Sequence, residues 1–117
     1  MKFMRIVLPA LIAVMLFVLT VQAEESGKLV RVEPQKVCMV NNKASDKDQI
    51  PVKIEDRTYY GCCEMCKKAL NDNADLRFAV DPVSGKKVDK ATAVIGARPD
   101  GTTLYFENEE NLKKYGN

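Results

Sequence analysis

Four cysteines, Cys38, Cys62, Cys63 and Cys66, carry the reactive chemistry of this sequence. Three of them fall inside Cys62-Cys63-Glu64-Met65-Cys66, which gathers soft ligands into a single turn of chain. The fourth stands upstream in Val37-Cys38-Met39. The spacing Cys38-x23-Cys62-x3-Cys66 suits a thiolate metal site built from a hairpin and the helix that follows it. There is no histidine in the chain. That absence excludes His-based hydrolases, facial-triad iron enzymes and zinc fingers with mixed Cys and His ligands. The expected chemistry is sulfur chemistry.

The elements that must position these sulfurs can be read around them. Residues 50–54 alternate, with Ile50, Val52 and Ile54 apolar, as a half-buried strand does. Glu55-Asp56 can turn the chain, and Arg57-Thr58-Tyr59-Tyr60-Gly61 is rich in strand formers, so the pair predicts a β-hairpin. A helix over 63–71 follows, with Glu64 in its first turn and Lys67 and Lys68 later, matching the macrodipole. Cys62 then sits at the strand–helix junction, with Cys66 one turn inside the helix and facing the same way. Helix-start N–H groups favour thiolates, so Cys62 and Cys63 are expected to ionise more easily than an isolated cysteine. Cys38 closes the site from the loop before the hairpin.

Two other uses of the same cysteines stay open. In an exported protein, four cysteines are ordinarily two disulfides. Against that, neighbouring Cys62 and Cys63 bond to each other only with strain, and Cys66 lies about one helical turn from both. That arrangement suits sharing an ion better than a relaxed disulfide. Cys63-Glu64-Met65-Cys66 is also a CxxC at a helix start, the arrangement that activates thiols in disulfide oxidoreductases. Such enzymes set the motif in a thioredoxin-like βαβ unit, and the flanks here read as a short hairpin instead.

The first 23 residues bear on compartment. Lys2 and Arg5 precede an apolar run over 6–21, and Val21-Gln22-Ala23 ends it with small residues, the pattern of a secretory signal peptide cut after Ala23. The expected location is periplasmic or secreted, with no stable membrane anchor once the segment is removed. The formal net charge of +2 then belongs to the leader, because losing Lys2 and Arg5 leaves basic residues equal in number to the 16 acidic ones. Lysines interleave with Asp and Glu without a basic run, which argues against a nucleic-acid partner. A small domain with few aromatics needs a staple, metal or disulfide.

On these residues the chain resembles the TRASH/YHS group of small cysteine-containing heavy-metal modules. The shared pattern is Cys38-x23-Cys62-x3-Cys66 with Tyr59-Tyr60 ahead of the paired cysteines. Gly61 stands where that group commonly has an aromatic, and Cys63 where it commonly has serine. The extra cysteine leaves the choice of ligand between Cys62 and Cys63 open. A second resemblance lies further along. The stretch from Val80-Asp81-Pro82-Val83-Ser84-Gly85 to Asp89 is close to the YHS start, with Ser84 in the cysteine position. Leu104-Tyr105-Phe106-Glu107 onward matches the strand–helix part, with Glu107 and Asn111 replacing cysteines. The offset of about 45 residues indicates a tandem repeat. Pro99-Asp100-Gly101 is the expected turn between strands near 92–97 and 102–106.

The expected architecture is α+β, made of two small ββα-like halves, the first treble-clef or zinc-ribbon-like. A lead-in at 24–34 precedes the halves at 35–79 and 80–117, and Leu29-Val30-Arg31-Val32 can add a strand. The cysteine-free second half is expected to be structural or to present a surface, with Glu107, Glu109 and Glu110 as helix first-turn charges. The resemblance implies a non-enzymatic, exported metal-handling protein, with a metal transporter or another metal-handling protein as partner. The three sulfurs suit Cu(I) or Zn(II), and Cys63 is held as a fourth candidate ligand. Met39 and Met65 are expected as core residues, with a thioether role in copper binding as the alternative.

Overall fold

Alternating Ile50, Val52 and Ile54 form β4 (Ile50–Ile54), and β5 (Arg57–Gly61) returns antiparallel with Val52 opposite Tyr59. This register points Val52 and Tyr59 into the core, as period-two patterning demands. The two-residue connection places Glu55 at φ 58°, a left-handed conformation that tight hairpins require. Helix α1 follows as Glu64–Asp72, with Cys63 as its N-cap and Leu70 fully buried. This is a computed structural model describing residues 28–116; the expected signal peptide at 1–23 lies outside the described residues. Among those residues, no helix is long and apolar enough to cross a membrane.

The later part of the chain repeats the plan. Strands β8 (Val94–Ala97) and β9 (Thr103–Phe106) form a second antiparallel hairpin, followed by α2 (Glu109–Gly116). The Pro99-Asp100-Gly101 turn joins them, with Gly101 at φ 93°. Strand β1 (Val30–Val32) adds to the outer edge of β8, giving the order β1-β8-β9. The described part of the lead-in therefore belongs physically to the second hairpin through β1, and Arg31 pairs with Glu109 of α2. Sequence patterning missed two small ribbons. One is β2 (Val37–Cys38) with β3 (Lys43–Ala44), and the other is β6 (Phe78–Val80) with β7 (Lys87–Asp89). Strands of two or three residues are too short to show a period.

Among the described residues the result is a small mixed domain of two α-helices and several small antiparallel sheets. Its core is shared between the two hairpin–helix units. Val37, Met39, Val52, Tyr59 and Leu70 pack with Ile95 and Tyr105 in one cluster. Backbone contacts also tie the units together. Ala44 N–H donates to the Gly101 carbonyl (2.8 Å), and Thr103 N–H donates to the Asn42 carbonyl (3.0 Å). The β2–β3 ribbon is thus clamped between both hairpins, which matters because it carries Cys38.

Candidate metal centre

Three elements converge to bring the sulfurs together. Cys38 ends β2, buried, and the chain reverses through residues 39–42, where Asn42 takes φ 57°. Asn42 N–H closes this turn on the Cys38 carbonyl at 2.7 Å, and Met39 N–H donates to the Tyr60 carbonyl at 2.8 Å. The second of these bonds lays the Cys38 turn alongside β5. Cys38 therefore lies on a strand end and its tight turn, not in the open loop expected from sequence. Cys62 follows the last residue of β5 and is exposed, while Cys66 is buried one turn into α1.

Gly61 sets the depth of the site. A Cβ built on Gly61 would stand 2.9 Å from the Cys66 Cβ, closer than side-chain atoms pack. Only glycine lets the end of β5 approach α1 this closely.

The outcome is a sulfur triangle. The Cys38 and Cys66 sulfurs lie 3.8 Å apart, the Cys62 and Cys66 sulfurs 3.7 Å, and all three lie within 4.8 Å of one another. A tetrahedral ion about 2.3 Å from each sulfur would hold its ligands about 3.8 Å apart. Two sides of the triangle match that edge length, and the third lies within 4.8 Å. All four cysteines are free thiols, so the sulfurs are near but not bonded. Among the described residues this is the one group of three or more Cys, Asp or Glu placed to hold a metal ion. Cys63 is exposed and stands outside the group, because adjacent residues at a helix start point in different directions.

Each thiol has a different electrostatic environment. Burial pushes Cys38 up, but hydrogen bonds from backbone at Asn41, Val40 and Cys62 outweigh it and hold its pKa below the ordinary thiol value. Burial, with hydrogen bonds to Cys62, Cys63 and Cys38, pushes Cys66 up to about 12. Cys63 is lowered chiefly by the backbone N–H of Cys66 at the helix start, although its sulfur makes no full capping hydrogen bond. Cys62 departs from expectation. Its contact with Cys66 lowers it, but the Cys38 hydrogen bond, burial and the Cys38 charge together leave it raised. The helix start favours the thiolate at Cys63 only, because Cys62 stands one residue further from the free N–H groups.

Several neighbours of the site carry no recognisable motif. Asn41 Nδ2 lies 3.7 Å from the Cys62 sulfur. Lys90, only 4% exposed, reaches in from the second half. Its ammonium donates to the Met39 carbonyl (2.7 Å) and to Asn42 Oδ1 (2.9 Å), and lies 5.1 Å from the centroid of the Tyr105 ring. Met39 is fully buried in the core, as expected, whereas Met65 is 81% exposed and packs against nothing central. On α1, Met65 projects away from the Cys66–Leu70 face.

The second half fills the corresponding corner differently. Ser84 and Glu107 are exposed, and Glu107 precedes α2 instead of lying in its first turn, which holds Glu109 and Glu110. Asn111 is buried, and its amide donates to Asp81 Oδ2 at 2.9 Å. Asp81 is 0% exposed and accepts three further N–H bonds, from Val83 (2.7 Å), Ser84 (3.1 Å) and Glu107 (2.8 Å). A saturated carboxylate therefore ties strand to helix where the first half gathers three sulfurs. The Asp-Pro start was the available signal, since Asp before Pro commonly bonds its own following backbone.

No protein-family model matches this chain, and comparison with curated proteins and with solved structures finds no match either.

Proposed function

We propose that this protein is a non-enzymatic, exported carrier of a soft metal ion, bound by the thiolates of Cys38, Cys62 and Cys66. The observation that carries the reading is the sulfur triangle, whose 3.7 and 3.8 Å sides match the ligand spacing of a thiolate-bound ion. Three thiolates with one exposed corner suit cargo better than a closed four-cysteine staple, because an open side lets a partner's ligands replace these one at a time. The TRASH/YHS resemblance, the leader-like start and the order of ribbon, hairpin and helix agree with this assignment. Cu(I) and Zn(II) are the ions whose chemistry fits, and a metal transporter or another metal-handling protein is the expected recipient. In this reading the second half is a degenerate copy, with Asp81 and Asn111 doing the structural work of a bound ion.

One observation favours a second reading. Cys63 is exposed with a lowered pKa, while Cys66 is buried and pushed up, the asymmetry of a disulfide-exchange pair. A disulfide-stapled module without metal uses the same sulfurs. Native mass spectrometry of the purified protein, with and without reductant, separates bound metal from disulfides. The carrier reading expects one ion per reduced chain and loss of binding on oxidation. A protein isolated with two disulfides and no affinity for Cu(I) or Zn(II) after reduction would overturn it.

A further inference from the structure

We infer that Lys90, contributed by the cysteine-free half, selects a monovalent over a divalent ion at the sulfur triangle. This deepens the carrier reading and rests on it. Only two charged side chains are buried among the described residues, Asp81 and Lys90. The Asp81 charge is absorbed by its four N–H donors, whereas the Lys90 ammonium has no carboxylate partner among the described residues. It is held instead by the carbonyl of the residue following Cys38, by the Asn42 side chain that ends the same turn, and by the face of Tyr105. All three contacts fix a positive charge against the back of the metal-ligand turn. A cation buried without a partner is costly unless a counter-charge arrives.

The loaded triangle is that counter-charge. Three thiolates with a divalent ion carry a net charge of −1, and with a monovalent ion −2. A fixed positive charge therefore stabilises the monovalent complex by one extra unit of interaction. The starting protein is common to both, so its protonation cancels from the ratio of affinities. One unit charge at about 12 Å, with an effective dielectric of about 20, changes an affinity ratio about tenfold. The contact with the Met39 carbonyl places that charge beside the turn that begins at Cys38. Through this residue the second half acts on the site as well as bracing it.

The test compares Cu(I) and Zn(II) affinities, each by competition with a chelator of known strength, in the full chain and three variants. Lys90→Gln keeps hydrogen-bond donors without charge, Lys90→Met fills the space without donors, and Lys90→Arg keeps the charge. The expected result is a fall in the Cu(I)-to-Zn(II) affinity ratio of about tenfold for Gln and Met, with Arg restoring most of it. A purely structural lysine would weaken both ions equally, and an unchanged ratio in Gln and Met overturns the inference. A variant that folds only with metal is refolded in an equimolar mixture of the two ions, and the bound ratio is read by native mass spectrometry. Failure of the unmodified chain to bind either ion rejects the carrier reading itself, a separate outcome.

Discussion

Replacing Asp81 should unfold the second half's corner without touching a single cysteine. The carboxylate is fully buried and accepts four N–H donors, three of them partly buried and the Asn111 amide buried. Losing three partly buried bonds at about 1 kcal/mol each, with one buried donor stranded at about 1–3 kcal/mol, puts Asp81→Ala at about 4–6 kcal/mol. That is a large share of the roughly 5–15 kcal/mol available to a small domain. Asp81→Asn keeps the oxygen facing Val83 and Ser84 but turns an amide toward the Glu107 N–H and Asn111, so about 2 kcal/mol is expected. With a urea m-value near 1 kcal/mol/M, the midpoint should fall by roughly 2 M. The pH dependence has a definite sign. Burial raises the Asp81 pKa, but Asn111 and the N–H groups of Glu107, Val83 and Ser84 outweigh it and leave it lowered. A carboxyl depressed in the folded state stabilises fully above its unfolded value near 4, and that stability is lost as pH falls through the folded value. The gap between the natural chain and Asp81→Asn should therefore be full at pH 7 and shrink below pH 4. Urea titrations under reducing conditions at pH 7 and pH 3 measure both. A gap below 0.5 kcal/mol at pH 7, or one that is the same at both pH values, would refute the carboxylate-staple argument.

At the metal centre, Cys38→Ser and Cys66→Ser should each abolish tight binding, Cys62→Ser should weaken it strongly, and Cys63→Ser should be mild; chelator competition checks the order, and loss confined to Cys63→Ser would move the site. Gly61→Ala should lower both stability and metal affinity, by about 1–3 kcal/mol of overpacking against the Cys66 Cβ, read by thermal unfolding with and without Zn(II). Undiminished affinity there would show that the strand and α1 can part without cost. Metal binding should release at least two protons at pH 7, because Cys66 is pushed up to about 12 and Cys62 is raised, so both are thiols before the ion arrives. Affinity should then climb steeply with pH, and calorimetry in buffers of different ionisation enthalpy counts the protons; a count of zero would contradict the thiol assignments.

Much of the first half was legible because its signals are local. The period-two run at 50–54, the strand formers at 57–61 and the charge order of the helix each act over a few neighbouring residues, and the elements formed within a residue or two of expectation. The x3 spacing put Cys62 and Cys66 one helical turn apart before any packing was known. Sequence alone could not decide what joins the two halves. Cys38 reaches the other sulfurs only because Met39 bonds to Tyr60, Thr103 to Asn42 and Ala44 to Gly101, contacts between distant parts of the chain. Cys62 and Cys63 are neighbours of the same type, and only the direction of the chain leaving β5 separates the one inside the triangle from the one outside. The opposite shifts of their thiols follow from that same direction. No motif marked Lys90, and Asp81 stood out only through its place in the Asp-Pro start of the second half. Burial makes them matter, and burial belongs to tertiary structure, since it depends on which surfaces meet and not on which residues are adjacent.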